Sequence, residues 1–130
     1  MNKTALKTKL QTLLSSDRKI TFEWDCGGDE TLIDVFENKK RASRATWIEP
    51  LCDVVAKVLE LPNAGEYFVK GTGELHVKGE DIYIRHKSTA SGIDYNFPKG
   101  LDLSTLDEDD FEEYMVEFED QPIKGDVKLL

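Results

Sequence analysis

Three groups of side chains in this sequence have types and spacings that could do chemistry. The first is the run Trp24-Asp25-Cys26-Gly27-Gly28-Asp29-Glu30, where Asp25, Asp29 and Glu30 gather around a turn. Hard cations take oxygen ligands from clusters of this kind. The spacing departs from the EF-hand loop, which needs Asp-x-Asp-x-Asp-Gly and a distal Glu. Asp and Gly are also ordinary turn residues, so a solvated turn accounts for the run and no resident metal or cofactor is expected. The second group is the histidine pair. His86 falls on the core-facing side of a strand pattern and His76 on the other side, so the two imidazoles cannot share a metal. His86 could act as a general base in a pocket opened by Gly71 and Gly73, but no serine or cysteine is tied to it by spacing. The third group is the acidic run at 107–120, which holds nine Asp or Glu and no Lys or Arg. Asp109, Asp110, Glu113 and Glu117 are its candidate contacts for a basic partner protein.

The formal net charge is −9, and residues 100–130, with eleven acidic and two basic side chains, account for all of it. Phosphates repel such a chain, so generic nucleic-acid binding is not expected. No apolar run approaches the roughly 18 residues of a membrane span. The lysine-dotted start of the chain lacks the uninterrupted apolar stretch of a signal peptide. The two cysteines, Cys26 and Cys52, form no Cys-x-x-Cys pair, and four zinc ligands with workable spacing are not present. Two free thiols in a reducing compartment are the expectation, hence a cytoplasmic protein.

These groups must be positioned by elements that the hydrophobic periodicity outlines. Leu6, Leu10, Leu13 and Leu14 form one stripe of a helix over 3–15. Ile20, Phe22 and Trp24 alternate with polar residues, and a Gly27-Gly28 type I′ turn closes a hairpin that pairs Trp24 with Thr31 and Asp25 with Glu30. Residues 38–46 read as a basic linker. A second helix runs from near Trp47 to Leu61, with Pro50 in its first turn. Residues 66–97 read as a β-meander. Its first strand bends at Gly71-Thr72-Gly73, and a Gly79-Glu80 type II′ turn pairs Leu75 with Ile84, Val77 with Ile82, His76 with Tyr83, Lys78 with Asp81 and Glu74 with Arg85. A turn at 89–92 then brings Tyr95 opposite His86. Thr105 and Glu108 have capping-box spacing, and Phe111, Tyr114, Met115 and Phe118 give the stripe of a third helix over 105–118. Residues 121–130 are a short tail that docks through Val127, Leu129 and Leu130 or stays loose.

The order α-ββ-α-ββ(β)-α lacks strand–helix–strand alternation. It implies a single α+β domain over 1–130, an antiparallel sheet made of an N-terminal β-hairpin and a β-meander, with helices to one side. The stretch Ile20 to Ile33, with Phe22 and Gly27-Gly28-Asp29, resembles the opening hairpin of a family of small bacterial domains of unknown function. The later helix and Gly71-x-Gly73-Glu74-Leu75 are similar to that family's second half. The family carries Ser-Gly after the Asp, where this chain has Glu30-Thr31. The resemblance implies a bacterial or mobile-element origin and brings no activity.

The expected function is a non-enzymatic protein-binding or regulatory module, inhibitor- or immunity-like, that uses the acidic third helix. The alternative is a small enzyme or metal-binding protein centred on the Asp25–Glu30 turn or on His86. The acidic run itself admits two states. Its charges are either free for a partner or paired internally with Lys3, Lys7 and Lys9 of the first helix or with the basic linker.

Overall fold

The computed structural model describes residues 1–28, 30–62 and 67–130, with Asp94 through its backbone alone. Helix α1 (Lys3–Ser15) starts where the Asn2 side chain accepts a hydrogen bond from the Ala5 N–H at 2.8 Å, as an N-cap should. Its stripe buries Leu6, Leu10 and Leu13. Strands β1 (Ile20–Gly27), β2 (Glu30–Glu37) and β3 (Lys40–Ala42) follow, then helix α2 (Ile48–Val58), strands β4 (Tyr67–Lys78) and β5 (Asp81–Tyr95), a 3-10 turn at Leu103–Thr105, helix α3 (Glu108–Glu113) and strand β6 (Met115–Lys128). Among the described residues, six strands join one antiparallel sheet in the order β3-β2-β1-β4-β5-β6. The class is α+β, as expected.

One face of this sheet carries Ile20, Phe22, Trp24, Val35, Val69, Leu75, Ile82 and Ile84, all buried together with Leu6, Leu10 and Leu13 of α1 and Leu51 and Val55 of α2. Helix α1 is fastened across the β4–β5 turn by Lys7 to Asp81 at 3.2 Å and by Gln11 Nε2 donating to the Glu80 carbonyl at 2.8 Å. The alternate residues face away from the helices and are mostly charged. Two meanders, β1-β2-β3 and β4-β5-β6, therefore meet along a single seam between β1 and β4.

Trp24 lies across that seam. A Cβ on Gly73 would sit 2.9 Å from two atoms of the Trp24 ring, and a Cβ on Gly71 would collide with the Lys87 carbonyl. Close approach, rather than a bend, explains both strand glycines, and β4 runs straight through them. The indole Nε1 donates to the buried Ser88 Oγ at 3.0 Å, which satisfies both polar groups.

The β4–β5 hairpin has the expected register, including Leu75 with Ile84, His76 with Tyr83 and Lys78 with Asp81. Gly79 takes a φ of +62° at the first turn position. Four expectations are corrected. The first hairpin is shifted by two residues: Trp24 faces Ile33, Gly27 faces Glu30 and Asp25 faces Leu32, not Glu30. The basic linker contains β3, reached by a turn with positive φ at Asn38 and Lys39, the conformation of a type I′ turn. No turn occurs at 89–92, because β5 continues to Tyr95 with β4 on one side and β6 on the other. Finally, the helix expected over 105–118 spans only Glu108–Glu113, and its second half is the start of β6. The unused backbone groups of β5 provide a pairing partner that outweighs helical periodicity there. The tail is the rest of that strand, and Leu129 is buried.

Candidate functional site

The distal ends of β4, β5 and β6 extend past the helix-covered core and carry a separate aromatic cluster. Tyr95 and Phe97 stack with ring centres 5.6 Å apart, and Phe111 of α3 meets both edge-on. Tyr114 packs on Phe97 at 5.4 Å, and Tyr67 contacts Phe118 at 6.0 Å. This cluster is what holds the short α3, which would not persist alone at six residues. The helix is closed at its start by a reciprocal capping box. Asp107 accepts from the Asp110 N–H at 3.0 Å, and Asp110 accepts from the Asp107 N–H at 3.1 Å. The box sits at 107–110 and not at 105–108.

Five apolar side chains around this cluster stay exposed: Tyr67, Phe68, Tyr95, Met115 and Val116. Around them stand the carboxylates. Asp109 and Glu113 are exposed on α3, while Glu117 is exposed on β6 rather than on the same helix. Asp110 is tied up in the capping box. Glu119 and Asp120 oppose the single residue Ser91, between the pairs Ala90–Gln121 and Gly92–Phe118, which makes a β-bulge with a φ of +51° at Asp120. Among the described residues, none of the nine acids at 107–120 forms an ion pair. Lys7 bonds Asp81 and Arg41 bonds Asp34 instead. An apolar surface rimmed by charge of one sign is the pattern of a protein-contact surface. The acidic run was legible in the sequence. The aromatic partners were not, because Tyr67, Tyr95 and Val116 converge only once β5 and β6 pair.

Of the other two groups, the described residues give the following. Asp25 faces Leu32 and Glu30 faces Gly27, while Asp29 lies outside the described residues. No group of three metal-ligating side chains occurs among the described residues. His86 and Tyr95 do not converge: they sit nine residues apart on one continuous strand, about 30 Å at strand rise. His86 is half-buried on the helix side, where Gly125 opposite it makes room for the ring. His76 lies on the open face and bonds Asp126 at 2.6 Å. Both cysteines are free thiols. Burial, with Asp53, Asp34 and Glu49 nearby, pushes the Cys52 thiol up to about 11, so it is a poor nucleophile at neutral pH.

Burial holds the His86 imidazole below its ordinary range, with Asp126 opposing. The unfolded chain therefore takes up a proton near pH 6.5 that the folded protein resists, and stability falls as pH falls through that ordinary imidazole value. On going from about pH 7.5 to pH 5.5, the wild type should lose more melting temperature than His86→Gln. Parallel melting curves for the two proteins across that range would refute this assignment.

Among the described residues, no helix is long and apolar enough to cross a membrane. Comparison with models of known protein families, with curated proteins and with solved structures finds no match to the chain.

Proposed function

We propose that this chain is a non-enzymatic protein-binding or regulatory module, inhibitor- or immunity-like, whose contact surface is the acidic and aromatic distal end of its sheet. The partner is a basic protein with an apolar contact of its own. One observation carries this reading: among the described residues, none of the nine carboxylates at 107–120 forms an ion pair, and they lie on the same α3–β6 segment that packs against the exposed aromatic cluster. Long-range attraction would steer the partner in, and Tyr67, Tyr95 and Val116 would supply the desolvated centre.

The test neutralises Asp109, Glu112, Glu113 and Glu117 to Asn or Gln, sparing the capping carboxylate of Asp110. Relief of like-charge repulsion should raise the melting temperature slightly, by about 1–3 °C at a few tenths of a kcal/mol per pair. The tagged wild type should capture a basic protein from its native cell, released by salt, and the neutralised variant should not. A clear fall in melting temperature would mean that the acids are paired internally. Equal capture by both proteins would remove this surface from the function.

A further inference from the structure

The sheet face turned away from the helices carries an unusual charge row. In register across five strands it reads Asp34, Glu23, Thr72, Lys87, Lys124 on β2, β1, β4, β5 and β6. Two acids face each other at one end and two lysines at the other. Like charges directly opposite one another destabilise a sheet, and this row does it twice, with opposite sign. Glu23, Thr72, Lys87 and Lys124 are exposed. Among the described residues, Glu23, Lys87 and Lys124 form no ion pair, and Asp34 alone is bonded, to Arg41 at 2.8 Å. Thr72 at the centre is small and uncharged.

We infer that this open face is the interface of a two-fold dimer with a second copy of the chain. A two-fold axis running along β4 above Thr72 turns the row onto its own complement. It places Glu23 over Lys87 and Asp34 over Lys124, and the same two contacts recur by symmetry. The two sheets then stack with strands nearly aligned, a standard packing. An axis running across the strands would set acid on acid and lysine on lysine, so the charge layout selects one arrangement. Thr72 meets its own copy on the axis. Its strand neighbours Glu74 and Lys70 also lie there, and each has a lateral neighbour of opposite charge: Lys19 forms an ion pair with Glu74 at 3.6 Å, and Asp25 stands opposite Lys70. The two acidic distal ends lie on opposite flanks, about four strand spacings or 19 Å apart. That exceeds the roughly 8 Å screening length at physiological ionic strength, the condition for the test.

The experiment is sedimentation equilibrium of the full chain up to about 1 mM. The wild type should sediment as a dimer. One variant carries Glu23→Lys and Asp34→Lys, and the other carries Lys87→Glu and Lys124→Glu. Each alone should be monomeric, its dimer weakened tenfold or more. An equimolar mixture should recover the dimer, because an all-basic face then meets an all-acidic one at both contacts. Thr72→Arg sets two arginines against each other on the axis and should also give a monomer, so the test stands even if a double variant fails to fold. A monomeric wild type at every concentration would overturn the inference. So would a dimer indifferent to these substitutions, or double variants that stay monomeric when mixed.

Discussion

Replacing Trp24 by alanine should destabilise the fold by about 3–5 kcal/mol, the usual cost of removing a large buried aromatic. The ring is almost wholly buried at the β1–β4 seam, and its N–H is the partner of the buried Ser88 hydroxyl. The substitution thus leaves both a cavity and a polar group without its hydrogen bond. Gly73→Ala alone should cost about 1–3 kcal/mol by overpacking, since its Cβ would press on the same ring and approach Ile84 Cδ1 at 3.0 Å. In the Trp24→Ala background the added methyl should cost far less, because the ring it strikes is gone. Urea titrations of the four proteins give the coupling directly. Additive losses would show that the ring and the glycine do not share one space.

Deleting residues 121–130 should leave the chain unfolded at room temperature. The deletion removes more than half of β6, including the pairs from Ala90–Gln121 to Tyr83–Lys128. It also removes the bonds that tie Leu129 and Leu130 to Ile82, among them Leu129 N–H to the Ile82 carbonyl at 2.8 Å. Leu129 is buried against the core, and its truncation to alanine alone should cost about 2–5 kcal/mol. Whole domains are stable by only about 5–15 kcal/mol, so losing the strand with its anchor exceeds what the rest can supply. Circular dichroism of the shortened chain checks this. An unchanged spectrum and urea midpoint would show that the segment is a loose tail.

The β4–β5 register could be read from the chain because turn chemistry and cross-strand pairs agree there. Gly79 suits one turn type, and Lys78–Asp81 and Leu75–Ile84 fall opposite one another in the same alignment. The β1–β2 register could not, since Gly27 and Gly28 offer adjacent solutions differing by two residues. A slip of one residue exchanges the faces of a strand, whereas a slip of two preserves them. Ile20, Phe22 and Trp24 point to the core in either alignment, so the hydrophobic pattern is blind to the choice. The C-terminal region failed for another reason. Phe111, Tyr114, Met115 and Phe118 fit a helical stripe, and Pro122, Gly125 and the bulge at Glu119–Asp120 obscure the strand. What decides the outcome is the free edge of β5, which no local window contains. The acidic half of the candidate surface was therefore visible as composition. Its aromatic half depends on pairing between residues twenty or more positions apart, such as Tyr95 and Met115.

The seam between the two meanders has a kinetic meaning. Each meander is built from strands consecutive in the chain: β1–β2, β2–β3 and β4–β5 can close through short turns on the microsecond scale of hairpin formation, and β5–β6 through the longer connection that carries α3. Joining β1 to β4 brings together strands with the whole of β2, β3 and α2 between them. That is the high-contact-order step of this topology, and the docking of the Trp24 ring over Gly73 belongs to it. Until it happens, the Trp24 face and the facing edges of β1 and β4 lack their native cover. In the cell, the vulnerable interval in the life of this chain falls between the formation of its two halves and their joining.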